Sequence, residues 1–254
     1  IDTVTQKVKL MPRYFIEVSY KGTNYAGFQI QRNANSIQAE LERALEIFYK
    51  QRFELTGSSR TDAGVHALQN FFHFDSDLVI KDDAYNLNAI LPGDIVVKRI
   101  TPVEDKAHCR FDAISRGYHY SIYNQKNPFL ADRAYYVPYT IDVDLLQQAA
   151  KEIMRHTDFT SFSKRNTQVK TFRCAISNSE WVQEGDCLVY KVTANRFLRG
   201  MVKGLVGTML LVGKRKISLE AFKAIIESKD CTKADFSVHP EGLMLHKVTF
   251  PYLF

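Results

Sequence analysis

Two patterns of apolar residues alternate along the first half of the chain, one with the two-residue period of a strand and one with the period of an α-helix. Residues 13–20, RYFIEVSY, alternate in polarity and predict a β-strand. A helix with one apolar face is predicted between Ile37 and Phe48, with Asn35 as its N-cap and Gln38 completing a capping box. Further strands are predicted at 53–57, 70–75 and 95–100, and a second helix at 83–91.

The resulting order of strand, helix, strand, strand, helix, strand is that of a ferredoxin-like (RRM-like) half. A second half is predicted from residue 111, with strands at 117–124, 171–183, 187–194 and 243–250 and helices at 143–154, 197–212 and 218–228. No low-complexity linker separates the halves, so we expect one mostly antiparallel sheet flanked by helices, an α+β fold. The predicted units are a loose N-terminal extension at 1–11, a first half at 12–110 and a second half at 111–254.

The composition fits a globular protein with a basic balance. The chain has 254 residues, and its 34 Lys and Arg against 28 Asp and Glu give a net charge of +6, which permits nucleic-acid partners without requiring them. Its 4 cysteines form no CxxC pair, so we expect neither a disulfide framework nor a metal site, and a reducing cytoplasm suits the chain best. Residues 1–15 lack the apolar core of a signal peptide, and the apolar stretch 197–212 carries two charges, so no membrane span is expected.

The positive charge is concentrated in one window. Residues 187–219 contain seven Lys and Arg and no Asp or Glu. Arg199 and Lys203 lie four residues apart and are predicted to share one helix face, with Arg196 at the start of the helix. A solvated helix edge that packs through its glycines is the alternative. An acid-free stripe that runs into Lys-Arg-Lys, together with a second basic cluster at 163–173, favours RNA or DNA as the partner.

The segment GSSRTDAGVHA, residues 57–67, places Arg60 and Asp62 two residues apart among small side chains. Small neighbours leave room for a ligand to approach the backbone closely. The alternative is a turn with a surface Arg–Asp contact of little energetic value. His66 follows four residues after Asp62, but a lone histidine near an acid is weak support for a catalytic pair, and we interpret it as structural or backbone-contacting.

The segment RTDAGVHA resembles the aspartate motif of the bacterial tRNA pseudouridine synthase A family. Six further segments are similar to that family in the same order: YKGTNYAGFQIQ (20–31), LPGDIVV (91–97), HCRFDAISRGYHYSIYN (108–124), DFTSF (158–162), NRFLRGMVKGLVG (195–207) and EGLMLHKVTFP (241–251). The resemblance covers about residues 12 to 252. The chain departs from the family pattern at Ser59, where Gly is usual, at Phe28, where Trp is usual, and at Lys203, where Arg is commoner. Lysine cannot make the bidentate fork of arginine.

The resemblance implies a pseudouridine synthase fold and the isomerisation of uridine to pseudouridine at nucleotides 38 to 40, in the anticodon stem-loop of tRNA. It implies no cofactor and no metal, and it implies a homodimer. Asp62 is the implied catalytic carboxylate and Tyr118 the active-site aromatic, although an aromatic residue on an alternating strand is otherwise read as core. We interpret Lys203 as the cation that keeps the carboxylate ionised when the substrate buries it. The expected substrate contacts are Tyr118, Arg60, Arg110, His108, His66, Phe28, Arg196 and Arg199.

Three other functions would each explain part of the sequence. A non-catalytic protein that binds structured RNA would explain the basic clusters but not a single acid in a loop of small residues. A carboxylate-based glycosidase normally needs two paired carboxylates, and no second acid lies near Asp62 in the sequence. A pseudouridine synthase that acts on a different RNA site would carry the same motifs.

Overall fold

The structure, a computed structural model, describes residues 11–165 and 169–252. The predicted N-terminal extension at 1–11 lies outside the described residues, apart from Met11. The strands are β1 Arg13–Tyr20, β2 Thr56–Gly57, β3 His66–Asp75, β4 Ile95–Val103, β5 Ser115–Tyr123, β6 Tyr135–Tyr136, β7 Ile176–Glu184, β8 Cys187–Ala194 and β9 Leu243–Thr249. The helices are α1 Ile37–Tyr49, α2 Ala84–Ile90, α3 Val143–Ile153, α4 Met201–Gly213 and α5 Leu219–Glu227, and a short 3-10 turn spans Pro240–Gly242.

The nine strands of the described residues form one mixed sheet in the order β4-β1-β3-β9-β5-β8-β7, with β2 paired to β3 and β6 paired to β5. Each half follows the same plan when the two-residue strand β6 is left out. Its fourth, first, third and second strands then lie side by side, as β4-β1-β3-β2 and β9-β5-β8-β7. The predicted α+β fold with two ferredoxin-like halves is confirmed. The division at residue 110 stays a prediction.

The two halves join where β3 pairs with β9 in parallel, with His66 opposite Met244 and Ala67 opposite Leu245. Most other pairs are antiparallel, including β5 with β9 and β5 with β8. The seam between the halves therefore lies directly after the loop that carries Asp62. Tyr118 of β5 packs against both hydrophobic cores, one on each side of this seam.

Two helix starts differ from their predictions. The N-cap of α1 is Ser36, whose hydroxyl accepts a hydrogen bond from Ala39 N at 3.3 Å, so the assignment to Asn35 was wrong. The side chain of Gln38 donates to Leu55 O at 2.9 Å instead of reaching back to the cap. The local sequence offers two adjacent capping residues, and only the extended backbone of Ser36 presents its oxygen to the helix.

Helix α4 begins at Met201, and the predicted start at Phe197 was wrong. Gly200 has a φ of +75°, a left-handed conformation that favours glycine, and it separates Arg199 from the helix. Arg199 and Lys203 therefore do not share a helix face. Most of α4 is buried, and a Cβ at Gly204 would lie 2.7 Å from the ring of Phe236, so this glycine admits a neighbouring segment.

Candidate active site

The loop between β2 and β3 is held to the rest of the fold by backbone hydrogen bonds. Ser58 N donates to Phe71 O at 2.8 Å, Phe28 N donates to Thr61 O at 3.1 Å, and Val65 N donates to Asp62 O at 3.2 Å. The last bond closes a turn around the aspartate. The carboxylate of Asp62 is thus carried by a loop whose backbone is tied on both sides of it.

The small residues of this loop serve the packing of the protein itself. Gly64 has a φ of +76°, and a Cβ there would lie 2.8 Å from the ring of Pro240. A Cβ at Gly57 would overlap the ring of Phe28. At these two positions the missing side chain makes room for Pro240 and Phe28, not for a ligand as the sequence suggested.

Asp62 and Arg60 are both exposed and project from the loop without pairing to each other. Among the described residues, no hydrogen bond or ion pair within 4.0 Å engages the carboxylate of Asp62. The surface Arg–Asp contact considered as the alternative is not formed. Both charges remain available to a bound molecule.

Tyr118 lies near Asp62 at the seam of the sheet. Its ring meets the ring of Phe197 edge to face, with the centroids 5.0 Å apart. Burial raises the pKa of Tyr118 to about 12; the positive charge of Arg116 opposes this shift, and the negative charge of Asp62 adds to it. The hydroxyl is therefore a neutral phenol near pH 7 that can donate or accept a hydrogen bond.

Lys203 lies half-buried in the first turn of α4, near the same carboxylate. Burial lowers the pKa of Lys203, and Lys164 lowers it further, whereas Asp62 and Glu241 raise it. No ion pair within 4.0 Å joins Lys203 to Asp62 in the described part of the chain. The lysine thus acts on the carboxylate at longer range than a salt bridge.

Lys164, a member of the second basic cluster at 163–173, lies near Lys203. Its backbone N donates to Arg199 O at 3.0 Å, and a Cβ at Gly200 would lie 3.0 Å from its side chain. Part of the cluster predicted at 163–173 falls on residues 166–168, outside the described residues. The described part nevertheless places a second lysine beside Lys203.

One cleft of about 210 Å³ is lined by Arg60, His108 and Arg110, three residues for which the sequence predicts contact with the substrate. The cleft also contains Phe111, which is 73% exposed and which the sequence analysis missed. The ring of His108 lies 4.2 Å from that of Phe111, and the guanidinium of Arg110 lies 5.7 Å from its centroid. The available signal in the sequence was a large apolar residue directly after Arg110, in a segment that also carries His108.

Two residues that were expected to contact the substrate, Phe28 and His66, contact other parts of the protein instead. The ring of Phe28 is 2% exposed and stacks on Phe72 with centroids 4.3 Å apart, so it belongs to the core and its ring is not available to a base. His66 is buried, and its Nδ1 accepts a hydrogen bond from Gly22 N at 3.0 Å. Burial lowers the pKa of His66, which favours the neutral ring in this backbone-contacting role.

The basic stripe predicted at residues 187–219 is not continuous on the surface, because most of α4 is buried and separates the cations before it from those after it. Arg196 is half-buried and Arg199 exposed, and both precede the helix. Arg215 bonds to Asp142 at 2.7 Å, and Lys214 lies over the ring of Tyr139 at 4.9 Å. Because a helix of 13 residues is about 20 Å long, this second group of cations lies far from Lys203.

One cluster of metal-ligating residue types lies beside the cleft. His73, His108 and Cys109 have donor atoms within 4.8 Å of one another. Burial raises the pKa of the Cys109 thiol to about 12, and its Sγ donates to Thr56 O at 3.1 Å. The thiol therefore takes part in the hydrogen bonding of the fold as a donor. Among the described helices, none combines the length and apolar character needed to cross a membrane.

Comparison with known proteins identifies the family. The family model described as tRNA pseudouridine synthase matches residues 16–112 and 149–251. The chain belongs to the tRNA pseudouridine synthase family. Asp62 and Lys203 lie within the matched ranges of that family, and Tyr118 lies between them.

Bacterial relatives named tRNA pseudouridine synthase A match nearly the full chain. A protein of Parabacteroides distasonis is 43% identical over 244 residues, covering 95% of this chain and 97% of its own length. A protein of Porphyromonas gingivalis is 42% identical over 248 residues, with coverages of 95% and 98%. A protein of Staphylococcus aureus strain MRSA252 is 36% identical over 240 residues, with coverages of 93% and 91%.

Proposed function

We propose that this protein isomerises uridine to pseudouridine at nucleotides 38 to 40 in the anticodon stem-loop of tRNA, with Asp62 as the catalytic carboxylate. Membership of the tRNA pseudouridine synthase family supports the reaction and the class of substrate. The observation that carries the role of Asp62 is its exposed carboxylate, which has no partner among the described residues and lies near a half-buried phenol and a half-buried lysine. We also propose, on the resemblance, a homodimer that acts in the cytoplasm.

The reaction breaks the bond from C1′ to N1 of uracil and forms a bond from C1′ to C5. N1 ends with a proton and C5 loses one, so the step needs no oxidant and no cofactor. The target base must first leave the stack of the RNA arm. A flipped nucleotide that enters beside Asp62 would exclude water from the carboxylate, and the cation of Lys203 would then keep it ionised.

Tyr118 and the cleft residues are assigned complementary roles. The ring of Tyr118 can stack on the uracil, and its neutral hydroxyl can bond to the carboxylate or take part in proton transfer at C5. Arg60 and Arg110 can hold phosphates, and the exposed ring of Phe111 can stack on an unpaired base. Their shared cleft lies beside the loop that carries Asp62.

The test is release of tritium from tRNA that carries [5-³H]uridine, because C5 loses its hydrogen only when the new carbon bond forms. Wild type is expected to release tritium, and Asp62→Asn is expected to release none while binding tRNA within about threefold of wild type. Asp186→Asn, in the exposed β7–β8 turn, is the matched control. Substantial activity of Asp62→Asn would remove Asp62 from the chemistry.

Two further outcomes separate the alternatives. Binding of tRNA without any tritium release by wild type would favour a non-catalytic RNA-binding protein. Transcripts that carry a single labelled uridine, at nucleotide 38, 39 or 40 or elsewhere, locate the target. Release from a uridine outside these positions alone would favour a pseudouridine synthase acting on a different site.

A further inference from the structure

A single buried amide ties the aspartate loop to the centre of the sheet. Asn70 of β3 is 0% exposed, and its Nδ2 donates to Ser59 O at 2.8 Å and to the hydroxyl of Tyr20 at 3.1 Å. Its Oδ1 accepts from Ser59 N at 3.3 Å and from Phe71 N at 2.9 Å. Both donors and both acceptor sites of the amide are therefore used, and two of the four bonds hold the backbone of Ser59.

The same network reaches the other side of Arg60 through a phenol. The hydroxyl of Tyr20 lies 2.7 Å from Thr61 Oγ1, and both side chains are buried. Because Asn70 already donates to the phenol oxygen, we assign the phenol proton to the bond with Thr61. Burial raises the pKa of Tyr20, so this donor persists across the physiological range of pH.

We propose that Asn70 and Tyr20 are positioning residues of the active site, which fix Ser59 and Thr61 and thereby set where Arg60 and Asp62 project. The proposal rests on the proposed function of Asp62. Neither side chain is placed to touch RNA, since both are enclosed by the sheet and the loop. Their effect is on orientation, where an error of about 1 Å at a catalytic group costs about a hundredfold in rate.

The kinetic test removes the hydrogen bond between Tyr20 and Thr61, which is the part of the network next to Asp62. Thr61→Val keeps the shape of the side chain and loses the hydroxyl, whereas Thr61→Ser keeps the hydroxyl. We expect Thr61→Val and Tyr20→Phe each to lower kcat for tritium release between about tenfold and about a hundredfold, with KM for tRNA within about twofold. Thr61→Ser should restore most of the lost rate. The double variant should be no slower than the slower single variant, because both remove the same bond.

Tyr14→Phe is the control, since Tyr14 is a buried tyrosine of the same strand whose hydroxyl accepts a bond from Ile80 N at 3.4 Å, away from the loop. It should lose stability without a matching loss of kcat. If Tyr20 had a purely structural role, Tyr20→Phe would behave like Tyr14→Phe, with a lower midpoint of thermal unfolding and the kcat of wild type. That result would overturn the proposal.

A second measurement does not depend on activity. Hydrogen exchange of the backbone amides of residues 59–65 should be faster in Thr61→Val and Tyr20→Phe than in wild type and Tyr14→Phe, because the loop loses one of its attachments. Unchanged exchange would also overturn the proposal. If wild type released no tritium, the proposed function would fail, and faster exchange in the two variants would still establish the attachment of the loop.

Discussion

Replacement of Lys203 tests whether a cation near Asp62 is required for turnover. No salt bridge within 4.0 Å joins Lys203 to Asp62 in the described part of the chain. The charge of Asp62 nevertheless raises the pKa of Lys203 and so opposes the effect of burial. Two unit charges just beyond ion-pair range, for example about 6 Å apart, attract by about 2.8 kcal/mol at an effective dielectric constant of about 20, which corresponds to about a hundredfold in rate. Residual water near the exposed Asp62 screens part of this attraction, so we expect Lys203→Met to lower the saturated rate between about tenfold and about a hundredfold.

The dependence of the saturated rate on pH is a second, independent test of the role of Lys203. Burial lowers the pKa of Lys203, so the positive charge is lost at a lower pH than for a lysine in water. The saturated rate of wild type should therefore fall as the pH rises through the pKa of Lys203. Lys203→Arg should keep its rate to higher pH, because an arginine remains charged throughout this range.

The assay is tritium release at saturating tRNA, measured for wild type, Lys203→Met and Lys203→Arg from about pH 6 to about pH 10. Lys216→Met, an exposed lysine beyond the far end of α4, is the control for loss of one positive charge. A Lys203→Met variant with the saturated rate of wild type and only a higher KM would refute the reasoning. Lys203 would then be a phosphate contact.

Three further expectations concern the hydroxyl of Tyr118, the separated basic group and the departure at Ser59. Tyr118→Phe should keep base stacking and lose most of its turnover with a small change in tRNA affinity; equal turnover of the two proteins would remove the hydroxyl from the mechanism. The affinity for tRNA should fall steeply with salt, and joint charge reversal of Lys214, Arg215 and Lys216 should flatten that dependence; an unchanged slope would place the RNA path elsewhere. Ser59→Ala removes a buried hydroxyl that has no partner among the described residues, so turnover should persist and the free energy of unfolding should stay constant or rise by about 1 kcal/mol. A loss of more than about 1 kcal/mol on urea unfolding would mean that the hydroxyl is satisfied.

The local elements could be predicted from the sequence because their signals are local. The alternation in 13–20 and 187–194 predicted β1 and β8 with the observed bounds, since the side chains of a strand change sides at every residue. The aspartate motif located the loop of Asp62, and the ordered motifs indicated the family. These inferences depend only on which residue types follow one another.

The misinterpretation of Phe28 and the omission of Asn70 occurred where a distant segment determines the outcome. Phe28 lies in a polar stretch of the sequence, where an aromatic side chain is expected at the surface. In the fold its ring stacks on Phe72 in the core, and the absence of a side chain at Gly57 leaves room for it. Asn70 is one amide on an alternating strand, and its role depends on Tyr20 and Ser59, which come from two other segments.

By itself the sequence determined most of the strands and helices, the two similar halves and the candidate carboxylate. Only the tertiary structure decided that β3 pairs with β9, about 180 residues further along the chain, and that Tyr118 and Lys203 lie near Asp62. The physical reason is that every strand offers the same backbone donors and acceptors to any neighbour. The choice of neighbour depends on which arrangement buries the apolar faces of both halves together, and that quantity belongs to the whole chain.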